Sequence, residues 1–155
     1  MSLSFITKDI TTVTTGIVGQ GVNCLGQMGS GVALAIRNKW NKAYTEYHTY
    51  CKNFSRPAPD MLGIVQIVDI SDELKVANCF TQVNFGKDGK VYADINSIDE
   101  ALQGLFAYAD FQNLPIFLPK IGCGLGGLNF ESDVQPILES LSEEFPHISV
   151  TICDI

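Results

Sequence analysis

The chain has 155 residues, of which 46% are hydrophobic and 17% charged, with a formal net charge of −7. This composition predicts one globular domain with a buried core and excludes a disordered chain. The negative charge argues against an extended nucleic-acid interface, because a grip on a phosphate backbone needs clustered lysine and arginine. No apolar run approaches the roughly 20 residues of a membrane span, and the N-terminus lacks the basic and apolar segments of a signal peptide.

The five cysteines form an odd set without metal-ligand spacing. Four of them lie in apolar or glycine-rich segments: Cys24, Cys79, Cys123 and Cys153. Reduced thiols in a cytoplasmic protein are the simplest interpretation. We therefore expect no metal site and a cytoplasmic protein. We also expect no cofactor and a monomer.

In chain order, strands are predicted at Leu3–Thr7 and Gly16–Asn23, and the second strand leads into a glycine-containing loop at residues 24–31. Helices are predicted at residues 32–40 and 42–52. Residues 62–70 and 74–81 are strand-like and are joined by Ser-Asp-Glu, which predicts a hairpin. The periodicity of residues 97–111 predicts another helix.

The most informative stretch is residues 115–127, Pro-Ile-Phe-Leu-Pro-Lys-Ile-Gly-Cys-Gly-Leu-Gly-Gly. Its apolar triplet Ile116–Leu118 predicts a buried strand, and residues 132–145 and 148–152 predict a final helix and strand. Four glycines in six residues favour a phosphate or diphosphate site, because backbone N–H groups there can point at an anion that no Cβ obstructs. A tight turn alone needs only one or two glycines. The spacing matches neither a Walker loop nor the dinucleotide fingerprint.

Together these elements predict an α/β fold with a mixed central sheet and helices on both faces. Both glycine loops follow strands, and ligands of such sheets bind beyond the carboxyl ends of the strands. Two loops at one edge would enclose a molecule with two phosphates.

Four segments, in order and at matching spacing, resemble the macro domain family. They are Lys8-Asp9-Ile10-Thr11, Asn23, the run Met-Gly-Ser-Gly-Val-Ala at 28–33, and the run Ile-Gly-Cys-Gly-Leu-Gly-Gly-Leu-Asn-Phe at 121–130. The resemblance implies a single macro domain, residues 1–155, with a three-layer α/β/α fold that binds ADP-ribose or a derivative. The similar branch holds ADP-ribose-1″-phosphate phosphatases, the terminal ADP-ribosyl-glutamate hydrolase and macro-domain antitoxins that remove ADP-ribose from DNA.

The resemblance also implies which residues bind the ligand. Asp9 would accept a hydrogen bond from the adenine amino group beside the Ile10 amide, and Asn23 would contact the distal ribose. Phe130 would flank the ribose or base, and Ile155 would lie near the nucleoside. A turn cap at Asp9 and a core aromatic at Phe130 are the structural alternatives. The two loops expected around the diphosphate comprise Met28, Gly29, Ser30, Gly31, Val32, Ile121, Gly122, Cys123, Gly124, Leu125 and Gly126.

The chain departs from the family at the positions that carry chemistry. Gln82 stands where the hydrolases and antitoxins have a lysine, Gly126 where the glutamate-specific hydrolase has an aspartate, and Gln20 where the yeast-type phosphatase has a histidine. Glutamine forms no Schiff base and takes no proton at neutral pH. The catalytic candidates Asn23, Gln20 and Gln82 would therefore act only by orienting a water molecule.

Two carboxylates, Asp88 and Asp94, would reach the site only if the loop after Phe85 folds over it. Three functions remain open. The first is a phosphatase that converts ADP-ribose 1″-phosphate to ADP-ribose, and the second is a non-catalytic ADP-ribose binder. The third is a mono-ADP-ribosyl hydrolase acting on protein or nucleic acid, which Gln82 and Gly126 disfavour.

Overall fold

A computed structural model describes residues 3–154 of the chain. Its six strands form one sheet in the order β1-β6-β5-β2-β4-β3. β3 runs antiparallel to β4, and every other pair of neighbouring strands is parallel. The mixed sheet and the hairpin predicted from the sequence are therefore confirmed. The strands are β1 Leu3–Thr7, β2 Gly16–Asn23, β3 Val65–Asp69, β4 Leu74–Gln82, β5 Ile116–Leu118 and β6 Val150–Asp154.

Four α-helices cover the two faces of the sheet, which confirms the predicted three-layer α/β/α arrangement. Helices α1 (Gly31–Lys39) and α2 (Asn41–Asn53) pack on one face. Helices α3 (Ile95–Gln112) and α4 (Gln135–Glu144) pack on the other. Each face buries its own apolar side chains, because alternate residues of β2 and β4 point to opposite sides of the sheet.

Two predicted elements begin later than the sequence pattern indicated. The first hairpin strand begins at Val65 and not at residue 62, because a 3₁₀ turn at Ala58–Met61 and the positive φ of Gly63 (86°) interrupt the extended chain. The helix expected over residues 132–145 divides into a π-helical turn, Phe130–Val134, and α4. A proline in the first turn of α4, where its missing N–H costs nothing, favours a helix start there.

The central strand β2 is buried along nearly its whole length, as expected for a strand with helices on both sides. The five cysteines are free thiols, and three of them are buried. Within residues 3–154, no helix combines the length and the apolar character needed to cross a membrane.

Candidate functional site

A cleft of about 550 Å³ opens where the parallel strands β2, β4 and β5 end. Both glycine loops line it, together with the ends of β2 and β4 and the loop after β4. We use the term cleft floor for three of the buried lining residues, Gln20, Val22 and Thr81. The full lining is Gln20, Gly21, Val22, Asn23, Gln27, Gly29, Ser30, Gly31, Val32, Ala33, Thr81, Gln82, Phe85, Gly86, Lys87, Pro119, Lys120, Ile121, Gly122, Gly124, Leu125 and Gly126.

The glycines of the second loop have different structural roles. Gly122 has a positive φ (77°), which a side chain would strain. A methyl group added at Gly126 would lie 2.6 Å from the carbonyl oxygen of Gly122, so this glycine is required for packing. A methyl group added at Gly124 would meet no atom of the described residues within 4 Å, and Gly124 needs no positive φ. The absence of a side chain at Gly124 therefore leaves open space in the cleft.

Backbone donors of this loop are available to a ligand. The N–H groups of Gly122, Gly124, Leu125 and Gly126 donate to no acceptor within residues 3–154. Successive free N–H groups in a turn create a local positive potential that favours an anion. The loop thus has the chemistry expected of a phosphate cradle.

The first glycine loop adds a second set of donors at the start of α1. Ser30 is the N-cap residue of α1, but its side chain makes no capping hydrogen bond. The first N–H groups of a helix have no partner within the helix, and the helix dipole makes them attractive to anions. A methyl group added at Gly29 or Gly31 would meet no atom of residues 3–154 within 4 Å. The two loops therefore present open space and unpaired donors to the same cleft.

Most of the hydrogen-bonding capacity of Asn23 is used within the protein. Its Oδ1 accepts from the N–H groups of Leu25 (3.0 Å) and Gln27 (3.3 Å) and from the Tyr47 hydroxyl (2.8 Å), while Nδ2 donates to the Gln27 carbonyl (2.9 Å). Burial raises the pKa of the fully buried Tyr47, so its hydroxyl remains a donor. Asn23 holds the first loop in shape and keeps one N–H for a ligand.

The cleft floor contains two buried polar atoms that have no hydrogen-bond partner within residues 3–154, Gln20 Oε1 and Thr81 Oγ1. Gln20 and Thr81 are each 1% exposed. Thr81 occupies a β-bulge, because Val22 pairs with Phe80 while the next residue of β2 pairs with Gln82. Bulges redirect side chains beside functional sites. The sequence analysis did not select Thr81, since no local pattern marks a register shift.

Lysines are the only ionisable side chains that line the cleft among residues 3–154. Lys120 forms an ion pair with Asp154 (3.3 Å), whereas Lys87 has no acidic partner within 4 Å in this part of the chain.

Neither carboxylate of the following loop reaches the cleft. Asp88 accepts hydrogen bonds from the Tyr92 hydroxyl and the Lys90 N–H, and Asp94 caps α3 through Ser97.

Gln82, the third catalytic candidate, lines the cleft, but its Nε2 donates to the carbonyl of Asn84 at 2.7 Å. Its amide therefore braces the loop that carries Phe85 and Lys87. Phe85 is 49% exposed and, with the 49% exposed Leu125 across the cleft, gives the entrance an apolar character.

Several predicted ligand residues lie outside the cleft lining. Asp9 is exposed and caps the 3₁₀ turn Ile10–Thr12, where Oδ1 accepts from the Thr11 hydroxyl (2.7 Å) and N–H (2.9 Å). These hydrogen bonds, the hydroxyl bond first, lower the pKa of Asp9. Ile10 is buried in the core.

Met28, Cys123 and Phe130 also point away from the cleft. Met28 is fully buried in the cluster between α2 and the sheet. Cys123 Sγ donates to the Ile121 carbonyl (3.2 Å), and burial raises the pKa of this thiol to about 11. Phe130 is 3% exposed and makes an edge-to-face contact with Phe5 at 6.0 Å between ring centroids. The prediction for Ile155 lies outside the described residues.

Comparison with known proteins gives a consistent result. The family model described as Macro domain matches residues 20–137. A curated relative from Mycobacterium tuberculosis, named DNA ADP-ribosyl glycohydrolase, is 24% identical over 151 residues, covering 97% of this chain. The chain spans about two fifths (41%) of the length of that relative.

Two solved structures match over nearly the whole chain. A Bacteroides thetaiotaomicron protein of unknown function has a TM-score of 0.84 and 26% identity, covering 100% of this chain and 99% of its own. The macrodomain of Mycobacterium tuberculosis DarG has a TM-score of 0.83 and 25% identity, covering 99% and 97% respectively.

Proposed function

This chain belongs to the macro domain family, and we propose that it binds ADP-ribose and releases phosphate from ADP-ribose 1″-phosphate. The observation that carries the binding proposal is the pair of glycine loops, whose unpaired N–H groups face one cleft. A diphosphate between them would accept hydrogen bonds from both loops. The strand order supports an extended ligand, because β1 to β4 spans four strand spacings, about 19 Å.

The proposed orientation places adenine beside Asp9, at the end of β1. Although Asp9 caps a turn through Oδ1, no described residue donates to its Oδ2, which remains available to the adenine amino group. The diphosphate would lie between the loops after β5 and β2. The distal ribose would then lie over the ends of β2 and β4, near the cleft floor and Lys87.

The proposed reaction follows from the charges at this end of the cleft. Among residues 3–154, lysines are the only ionisable side chains that line it, and Lys87 has no acidic partner there, which suits a terminal phosphate. A water oxygen would attack phosphorus, the bond from phosphorus to the ribose oxygen would break, and that oxygen would take a proton from solvent. The products are inorganic phosphate and ADP-ribose. Without a protein base, the turnover should be about 10²–10⁴ times slower than that of an enzyme with a positioned base.

A second candidate is the removal of ADP-ribose from a nucleic-acid conjugate. The name of the mycobacterial relative favours it, and so does the exposed Phe85 at the cleft entrance, on which a nucleobase would stack. Gln82 argues against it, because an amide cannot form a covalent link to the sugar carbon.

The test combines binding with three activity assays. Calorimetric titration should show one site for ADP-ribose and weaker binding of AMP, since AMP cannot occupy both loops. Purified protein is then incubated with ADP-ribose 1″-phosphate, an ADP-ribosylated thymidine oligonucleotide and an ADP-ribosylated glutamate peptide. Phosphate release from the first alone supports the proposal. Release of ADP-ribose from a conjugate without phosphate release would replace it with the second candidate or with protein deconjugation.

A further inference from the structure

A row of three carboxamides crosses the sheet and ends at the cleft. Gln66 on β3, Asn78 on β4 and Gln20 on β2 are paired in the strand register, so their side chains leave adjacent strands on one face. Gln20 Nε2 donates to Asn78 Oδ1 at 2.9 Å, and Asn78 Nδ2 donates to Gln66 Oε1 at 3.1 Å. Of the three residues, only Gln20 lines the cleft.

Two main-chain carbonyls of α2 determine which way each amide points. Gln66 Nε2 donates to the Glu46 carbonyl at 3.2 Å, and Asn78 Nδ2 donates to the Ala43 carbonyl at 3.4 Å. A carbonyl oxygen only accepts hydrogen bonds, so Gln66 must turn its NH₂ group toward α2, and Asn78 must turn its NH₂ group toward α2 and the Gln66 oxygen. Asn78 then presents its oxygen to Gln20, and Gln20 must present its NH₂ group to Asn78.

The consequence is an acceptor with no donor. With its NH₂ group committed to Asn78, Gln20 keeps Oε1 free, and no residue of 3–154 donates to it. Buried acceptors are almost always paired, so one left unpaired beside a cleft indicates a donor that arrives with the ligand. The Thr81 hydroxyl lies beside Gly21, on the opposite face of the sheet from Gln20; it lines the same cleft and is also unpaired within residues 3–154.

Gln20 Oε1 is an acceptor, and this determines which part of a ligand it can bind. A fully ionised phosphate brings only acceptor oxygens to a contact, and an amide oxygen repels them. A sugar hydroxyl brings a donor, which suits Gln20 Oε1. Gln20 Oε1 is therefore complementary to a hydroxyl group, directly or across one water molecule.

We propose that Gln66 and Asn78 are positioning residues that hold the Gln20 carboxamide with its oxygen toward the cleft, where it recognises a hydroxyl group of the distal ribose. This inference rests on the proposed binding of ADP-ribose and adds the contact that distinguishes the sugar from a further phosphate. The strand order favours the distal ribose, because β6 and β5 separate β2, which carries Gln20, from β1, which leads to Asp9.

The test compares ADP-ribose with ADP, which lacks the distal ribose, by calorimetric titration. Gln20→Met keeps the length of the side chain and removes its acceptor. We expect the Kd for ADP-ribose to rise about threefold to tenfold, as for one neutral hydrogen bond, and the Kd for ADP to stay unchanged. Gln103→Met, on α3 outside the cleft, is the matched control. An unchanged ratio of the two Kd values in Gln20→Met would overturn the contact.

Two further variants test the positioning role. Asn78→Leu and Gln66→Leu leave Gln20 intact but free its amide to turn, so both should lower the preference for ADP-ribose over ADP toward the value of Gln20→Met. General damage to the fold would weaken both ligands equally and leave the ratio at its wild-type value, which would overturn the positioning role. If the fully buried Asn78 does not tolerate leucine, the partly exposed Gln66 decides the matter.

Side-chain amide NMR gives an independent readout in the wild-type protein. The Gln20 NH₂ resonances should exchange slowly and shift little when ADP-ribose is added, because this group faces Asn78 and not the ligand. Large ligand-induced shifts of these resonances would show the opposite orientation. Failure of the proposed function itself would look different, since wild-type protein would then bind neither ADP-ribose nor ADP.

Discussion

The two glycines Gly124 and Gly126, two residues apart in one loop, should respond oppositely to the same substitution. A methyl group at Gly124 projects into open space in the ligand-free protein, so Gly124→Ala should not disturb the fold. Removing a glycine where the backbone accepts alanine raises the free energy of unfolding by about 0.4–1 kcal/mol. If the diphosphate occupies that space, however, the methyl group overpacks the complex at a cost of about 1–3 kcal/mol, or about a 5- to 150-fold rise in Kd.

Gly126→Ala should instead destabilise the folded protein. Its methyl group would lie 2.6 Å from the Gly122 carbonyl oxygen and 3.1 Å from the Ala93 side chain, so the loop itself must move. The same overpacking cost of about 1–3 kcal/mol then falls on the folded state. For a protein of this size that corresponds to a drop in Tm of about 2–12 °C.

The assay is thermal unfolding of both variants together with calorimetric titration of ADP-ribose. Gly124→Val extends the series, because the larger side chain should abolish binding while the Tm stays near the wild-type value. The reasoning would be refuted if both Gly124 variants bound ADP-ribose with the wild-type Kd, since the open space beside Gly124 would then not be where the ligand lies.

Two other variants test neighbouring parts of the site. Lys87→Ala should raise the Kd for ADP-ribose 1″-phosphate about twofold to fivefold, the range of an exposed ion pair, and the difference should shrink at high salt. Lys90→Ala, on the same loop but outside the cleft, should leave that Kd unchanged, and equal effects of both would point to bulk charge instead. Tyr47→Phe removes the hydroxyl whose one proton is shared between the Asn23 carbonyl oxygen (2.7 Å) and Asn23 Oδ1 (2.8 Å), and should lower the free energy of unfolding by about 1–3 kcal/mol in urea titrations. A Tyr47→Phe protein with wild-type stability would mean that Asn23 holds its loop without this residue.

Local patterns were sufficient to predict the architecture. The buried triplet Ile116–Leu118, the glycine loop after it and the alternation of strands and helices each depend on residues close together in the chain. The hairpin was predicted for the same reason, because a short turn joins its strands. Such signals depend on local conformation and periodicity, which a single sequence shows directly.

Contacts between distant residues were not predictable in the same way. Nothing in the sequence separates Gly124 from Gly126, because their difference lies in what surrounds an absent side chain. Asn23 was expected to face the ligand, yet its Oδ1 accepts a hydrogen bond from Tyr47, which lies on α2 in the helical layer next to the sheet. Thr81 entered the site through a bulge that only strand pairing reveals. These features require the register of the sheet and the packing of helices on it, which local patterns do not encode.

The composition of the cleft leads to a final prediction about pH. No carboxylate, imidazole or thiol lines the cleft among residues 3–154, so the protein supplies no acid and base pair that titrates between about pH 5 and 8. A phosphomonoester has its own ionisation near pH 6. The rate of phosphate release should therefore change once, at the ionisation of the substrate, and stay level on either side. Measuring kcat from about pH 5 to 8.5 at saturating ADP-ribose 1″-phosphate tests this. A bell-shaped profile is the signature of two essential protein groups, and finding one would require an acid and a base that this cleft does not contain.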